Sequence, residues 1–232
     1  MFLSSIIDKI TRAFLDNNRY LYFLDGLKTT IIIAVGALLL GIVIGTIVAV
    51  TKIIPKKTKV GVFFEKLAHL YTTVIRGTPI VVQLLLIYFV VFASLRLNAV
   101  LVAVIVFGIN SGAYVSEIMR SGILAVDKGQ MEAGRSLGLT YYQTMGKIVL
   151  PQAVKNILPT LGNEFIMLLK ETSVAGFITV VDLTKATQMI VSASYDAFVP
   201  YIVLAITYLL IVLLIEFGLK KLEARLRLSD NR

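Results

Sequence analysis

Glu164 is a carboxylate inside a stretch, residues 157–181, that is otherwise mostly apolar. A charge at the centre of a bilayer costs roughly 2.5–3.5 kcal/mol on insertion scales, so such a residue is a functional candidate with a partner to find. Asn163 adjoins it, and Glu171 returns to the same helix face seven residues on. Asn110, Tyr114 and Glu117 fall at i, i+4 and i+7 of another apolar stretch, which is one helical stripe, and Ser111 lies beside Asn110. Arg76 precedes, and Gln83 follows, a break at Gly77-Thr78-Pro79. These types suit a free amino acid. An acid such as Glu164 would meet its ammonium, and Arg76, or the helix start after Gly77, would meet its carboxylate. Two plainer readings stand beside this one. Arg76 would snorkel to the cytoplasmic face, and Glu117 would cap or pair with Arg120 there. Lys170 and Glu171 also fit the outer end of their span or a pair with another helix. No nucleophile–base pair marks an enzyme. With no cysteine and His69 as the lone histidine, no metal site is expected.

Positioning these residues requires helices that cross a membrane. The chain has 232 residues, 57% of them hydrophobic and 16% charged, with a mean hydropathy of +0.86. Soluble domains carry about 25% charged residues, so a soluble globular domain and a disordered chain are both excluded. A bilayer core about 30 Å thick needs roughly 20 apolar residues per helix. Five spans are expected, at about 29–50, 62–95, 99–119, 157–181 and 198–219, within an all-α membrane domain covering 29–222. The second is too long for one straight span and should break at Arg76-Gly77-Thr78-Pro79. Gly36, Gly41 and Gly45 on the first favour close helix packing. Residues 1–28 form an expected amphipathic segment, with Leu3, Ile7, Ile10 and Phe14 at helical spacing, lying at the outer surface. Asp8, Asp16 and Asp25 interrupt it, so it is not expected to be a signal peptide. Residues 223–232 form an expected cytoplasmic tail.

Five spans place the termini on opposite sides, and positive charge chooses between them. Fifteen of the 23 basic residues lie in three segments that share one side. These hold Lys52, Lys56, Lys57, Lys59 and Lys66, then Arg120, Lys128, Arg135, Lys147 and Lys155, then Lys220, Lys221, Arg225, Arg227 and Arg232. The N-terminus is therefore expected outside and the C-terminus in the cytoplasm. The net charge of +9 follows from this bias and needs no nucleic-acid partner.

The longest polar segment, Arg120 to Lys155, is expected to fold as two short helices over about 129–149. Good helix formers run from Gln130 to Leu139. Thr140 with Gln143 three positions on makes a capping box. The second stretch, Tyr141–Val149, is closed by Pro151. Such a hairpin is shaped to dock a cytoplasmic partner. Glu132-Ala133-Gly134, three residues, Gly138, nine residues, then Ile148-Val149-Leu150-Pro151 resembles the EAA motif of ATP-binding-cassette (ABC) importer permeases. The pattern has alanine where Gly134 stands. Arg76-Gly77-Thr78-Pro79 with Gln83, and Leu161-Gly162-Asn163-Glu164-Phe165, are similar to the polar amino-acid branch of that group. The resemblance covers nearly the whole chain. It implies that Glu132, Ala133, Gly134, Gly138, Leu139 and Thr140 belong to coupling helices seated in an ATPase subunit. It also implies that Arg76, Gln83, Asn110 and Glu164 lie along the substrate path; Asn163, beside Glu164, and Tyr114 and Glu117, on the stripe of Asn110, are expected there from their placement. The implied partners are an ABC ATPase dimer holding ATP and Mg, a second permease copy or paralogue, and an extracellular or periplasmic amino-acid-binding protein. The implied location is the bacterial cell membrane. Gly129, four residues, Gly134-Arg135-Ser136 nearly spells a phosphate-binding loop, but arginine replaces the lysine and no strand precedes it. ATP binding by this chain is therefore not expected. A permease for another small solute, and an ion-coupled carrier, are the competing readings.

Overall fold

A computed structural model describes residues 8–54 and 58–228. Leu3 and Ile7 of the amphipathic segment, Lys56, Lys57 and Arg232 lie outside the described residues. So does the tail after residue 228. The described residues form helices and turns, with no strand among them. The helices are α1 Tyr20–Ile53, α2 Lys59–Gly77, α3 Ile80–Leu86, α4 Ala99–Leu124, α5 Lys128–Ser136, α6 Tyr141–Thr144, α7 Leu150–Glu171, α8 Leu183–Ser194 and α9 Phe198–Leu228. Among the described residues, α1, α4 and α9 are each long and apolar enough to cross a membrane. The sharply bent pair of α2 with α3 and its π-helical extension Ile87–Val91 makes up to one more. The stretch expected as the fourth span falls on the second half of α7 and the 3-10 helix Thr172–Ile178.

The break between α2 and α3 lies where expected. Thr78 (φ −120°, ψ 142°) and Pro79 (φ −63°, ψ 137°) are both extended. Proline lacks an N–H and disfavours helical geometry in the residue before it, so the helix stops at Gly77. Pro151 behaves differently from expectation. Helical backbone runs from Tyr141 through the π-helical segment Met145–Val149 into α7, with Pro151 inside. The wide turn just before the proline relieves the clash of its ring with the preceding carbonyls. The hairpin therefore continues into α7 without a break.

The chain divides into two compact units. The first holds the chain up to Ala37, Pro79–Phe107 and Ile166–Ile215. Its core joins Ala13, Phe14 and Phe23 to Leu183, Ile190 and Val199. Phe14 and Phe23 meet edge to face with centroids 5.6 Å apart. The amphipathic segment thus buries Ala13 and Phe14 against protein rather than lying only on a bilayer. It ends at Asn17 and Asn18, both left-handed, before α1 begins at Tyr20. Asp182 caps α8 by accepting the Thr184 and Lys185 amides, and the Thr30 hydroxyl oxygen accepts the Leu183 N–H at 3.0 Å.

The second unit holds Leu38–Thr78, Gly108–Phe165 and the chain from Glu216 on. Here α1 and α4 pack at close range with reciprocal glycines. A Cβ on Gly41 would stand 2.8 Å from Ser111, and one on Gly45 2.6 Å from Val115. In return, a Cβ on Gly108 would meet Leu40 and one on Gly112 would meet Ile44. Small residues let the two backbones approach, which maximises packing where lipid supplies no hydrophobic drive.

Candidate functional site

The C-terminal parts of α1, α2 and α4 line an open cavity of about 700 Å³ within the second unit. Lys52 comes from α1, Thr72 and Arg76 from one face of α2, and Tyr114, Glu117 and Arg120 from one stripe of α4. Lys52 Nζ donates to Glu117 Oε1 at 2.6 Å and to Thr72 Oγ1 at 3.0 Å. Arg120 Nε donates to the other carboxylate oxygen, Oε2, at 3.0 Å. The Lys52 side chain is only 2% exposed. A charge so enclosed persists because it is paired and hydrogen-bonded on both sides. Arg76 stands 5.3 Å from the centroid of the Tyr114 ring, a cation–π arrangement. No described carboxylate engages Arg76, so its guanidinium is offered to the cavity. His69 also lines the cavity.

The structure sorts the expected path residues. Arg76, Tyr114 and Glu117 line one cavity. The pairing of Glu117 with Arg120 is present, and Lys52 joins it. Glu164 is buried and accepts the Ser111 hydroxyl at 2.7 Å, and it is not among the residues lining that cavity. Asn110 is buried, and Asn163 is exposed. Gln83 is buried and belongs to the first unit. Lys52 was legible only as one more loop lysine. The available signal was its place at the end of an apolar helix, directly after the charge-free run 29–51.

The second feature of this unit is the hairpin. Asp127 caps α5 by accepting the Gly129 N–H at 2.6 Å. At the other end, Leu139 N–H donates to Gly134 O at 3.1 Å and Gly138 N–H to Arg135 O at 3.0 Å. This is the Schellman pair, and it needs a left-handed residue at Gly138, whose φ is +84°. Arg135 Nη1 closes the turn on the Leu139 carbonyl at 2.9 Å. Thr140 and Gln143 form the expected capping box, each side chain bonding the other's backbone N–H. Gly134 is pressed against Thr144 and Ile148, where an added Cβ would lie 2.5 Å from Thr144 Cγ2. Glycine at this position of the motif follows from that approach. The near match to a phosphate loop falls inside α5, where helical hydrogen bonding occupies backbone amides that such a loop would turn toward phosphate.

Val126, Met131, Met145 and Val149 form one apolar cluster with Ile118, Met119 and Ile123 of α4 and Ala153 and Ile157 of α7. The hairpin is thus fastened to the membrane helices. Its tip is different. Leu137 is 82% exposed and Tyr142 66% exposed, on either side of Gly138. Glu132, Ala133 and Thr140 are exposed beside them. Among the described residues, no group of three or more metal-ligating side chains occurs.

The model of one protein family, described as the binding-protein-dependent transport system inner membrane component, matches residues 37–228. The glutamine transport system permease protein GlnP of Escherichia coli is 38% identical over 208 residues, covering 88% of this chain and 93% of that one. A crystal structure of an amino acid ABC transporter with histidines aligns with a TM-score of 0.83 at 41% identity, over 91% of this chain and 98% of the other. The MetNI methionine ABC transporter, in inward-facing conformations, shares the fold at 17% identity with a TM-score of 0.72, over 89% of this chain and 97% of that chain.

Proposed function

The chain belongs to the family of binding-protein-dependent transport system inner membrane components, and from that premise we propose that it forms the membrane path of an ATP-driven importer for a polar amino acid. The observation that carries the reading is the hairpin: a capped, glycine-turned element fixed to the helices by apolar packing, with Leu137 and Tyr142 bare at its tip. Large apolar side chains on an otherwise polar tip favour burial in a partner. The relatives named for glutamine and for an amino acid ABC transporter support the substrate class.

In this reading the chain spans the membrane five times, with its N-terminus outside and its C-terminus in the bacterial cytoplasm. It pairs with a second copy or a paralogue. ATP and Mg belong to the ATPase dimer that receives the hairpins, and a binding protein delivers the amino acid outside. Closure of the ATPase dimer moves each hairpin, and the apolar cluster carries that motion to α4 and α7. The membrane helices then alternate between inward-open and outward-open states. Arg76, over the Tyr114 ring, receives the substrate carboxylate, since a guanidinium matches that planar anion. Glu117 is occupied by Lys52 and Arg120; the ammonium is assigned to Glu164, which is buried against Ser111 outside the Arg76 cavity and so meets the substrate at a different point of the path. Gln83, Asn110 and Asn163 supply polar contacts along the path.

The test is ATP hydrolysis by the permease with its co-purifying subunits in lipid, with a panel of amino acids and the cognate binding protein. Stimulation by one loaded binding protein, lost when the Glu132–Gly138 hairpin is disrupted, is the expected result. Co-purification of no ATPase, with amino acid uptake down an ion gradient, would replace this reading with the carrier.

A further inference from the structure

A second cavity, of about 340 Å³, lies in the same unit beneath the hairpin. Its walls are unlike those of the first. Arg120 and Lys128 supply positive charge at the junction of α4 and α5, and Leu124, Met131, Met145 and Val149 supply apolar surface. Its one acid, Asp127, is committed to capping the Gly129 N–H. Lys52 also lines it, with its charge met by Glu117. Arg120 gives Glu117 its Nε, and its side chain is 40% exposed. Lys128 is exposed. Arg120 directly follows the largely apolar stretch 99–119 of α4, and Leu124, 62% exposed, adds apolar surface at the end of the same helix.

Two cations beside an apolar wall, at the end of a helix that the permease reading carries across a bilayer, match one class of molecule. We propose that this cavity binds the phosphate group of an anionic membrane phospholipid, with Arg120 and Lys128 on the phosphate and Leu124, Met131 and Met145 against the acyl chain. A basic side chain near an anionic membrane surface contributes about 1 kcal/mol, and an acyl chain adds apolar burial. Because Arg120 lies in the last turns of α4 and Lys128 begins the hairpin, one bound lipid would tie the two together. The proposal rests on the permease reading only in requiring a bilayer at this end of α4. Loss of coupled transport with lipid retention intact would count against that reading and leave the site standing.

The experiment uses the full complex with its ATPase subunits, in nanodiscs of phosphatidylcholine doped with phosphatidylglycerol. Native mass spectrometry then counts the lipids that stay bound on release. Phosphatidylglycerol is expected to be retained over phosphatidylcholine. Lys128→Gln should lower that retention about fivefold, and Leu124→Asn, which changes no charge, should lower it too. Lys147→Gln, the same charge loss on the hairpin outside the cavity, should leave it unchanged. Inorganic phosphate added to the complex should not displace the lipid. Equal retention of the two lipids, or equal losses in Lys128→Gln and Lys147→Gln, would overturn the proposal. Displacement by inorganic phosphate would overturn it in favour of a free-anion site.

Discussion

Glu164 accepts the Ser111 hydroxyl in a buried setting, whereas Glu117 is held between two cations. The difference decides what each substitution should do. Glu164→Gln keeps one acceptor oxygen for Ser111 while removing the charge and replacing the other oxygen with an NH2 donor, so assembly of the complex is measured alongside uptake. If the carboxylate meets the substrate ammonium, amino acid uptake into proteoliposomes should fall about tenfold, the loss of one charge-assisted contact. Unchanged uptake with unchanged substrate preference would remove Glu164 from the path. Both acids were visible in the sequence as charges in apolar stretches. Their partners were not equally visible. Arg120 is three residues from Glu117 and Ser111 is one residue from Asn110, but Lys52 reaches Glu117 across 65 positions.

At the level of the element, the hairpin was the most readable part of the chain because its determinants are local. The capping box of Thr140 and Gln143 and the turn glycine Gly138 each act within a few residues, and the Asp127 cap that the structure adds is equally local. Gly138 has open space around the position a Cβ would take, so its φ of +84° and not crowding sets the requirement. Gly138→Val should cost about 1–2 kcal/mol in the turn and lower co-purification of the ATPase, while Gly138→Asn, which tolerates left-handed geometry, should retain it. Wild-type ATP-coupled transport by Gly138→Val would show that the turn does not carry the coupling. Pro151 was misread for the converse reason. A proline ends a helix by local rules, and only the π-helical turn ahead of it accommodates the ring within a continuous helix.

For the whole molecule, the expected topology is testable because the chain has no cysteine. Tyr195, 96% exposed between α8 and α9, and Leu137, at the hairpin tip, are expected on opposite faces of the membrane. In intact cells a membrane-impermeant maleimide should label Tyr195→Cys, and should label Leu137→Cys only after permeabilisation. Labelling of both from outside would sink the five-span arrangement.

By itself the sequence determined the all-helical membrane character, the break at Pro79, the hairpin and its capping box. These depend on composition, on helical period and on residues within one or two turns of each other. The tertiary structure alone decided that Lys52 and Arg120 share Glu117, and that Ser111 bonds Glu164. It also decided that Gly134 must be small and that Phe14 is buried against protein. Each of these depends on which helix faces meet, and period and composition leave that open, because an apolar stripe packs as well on lipid as on another helix.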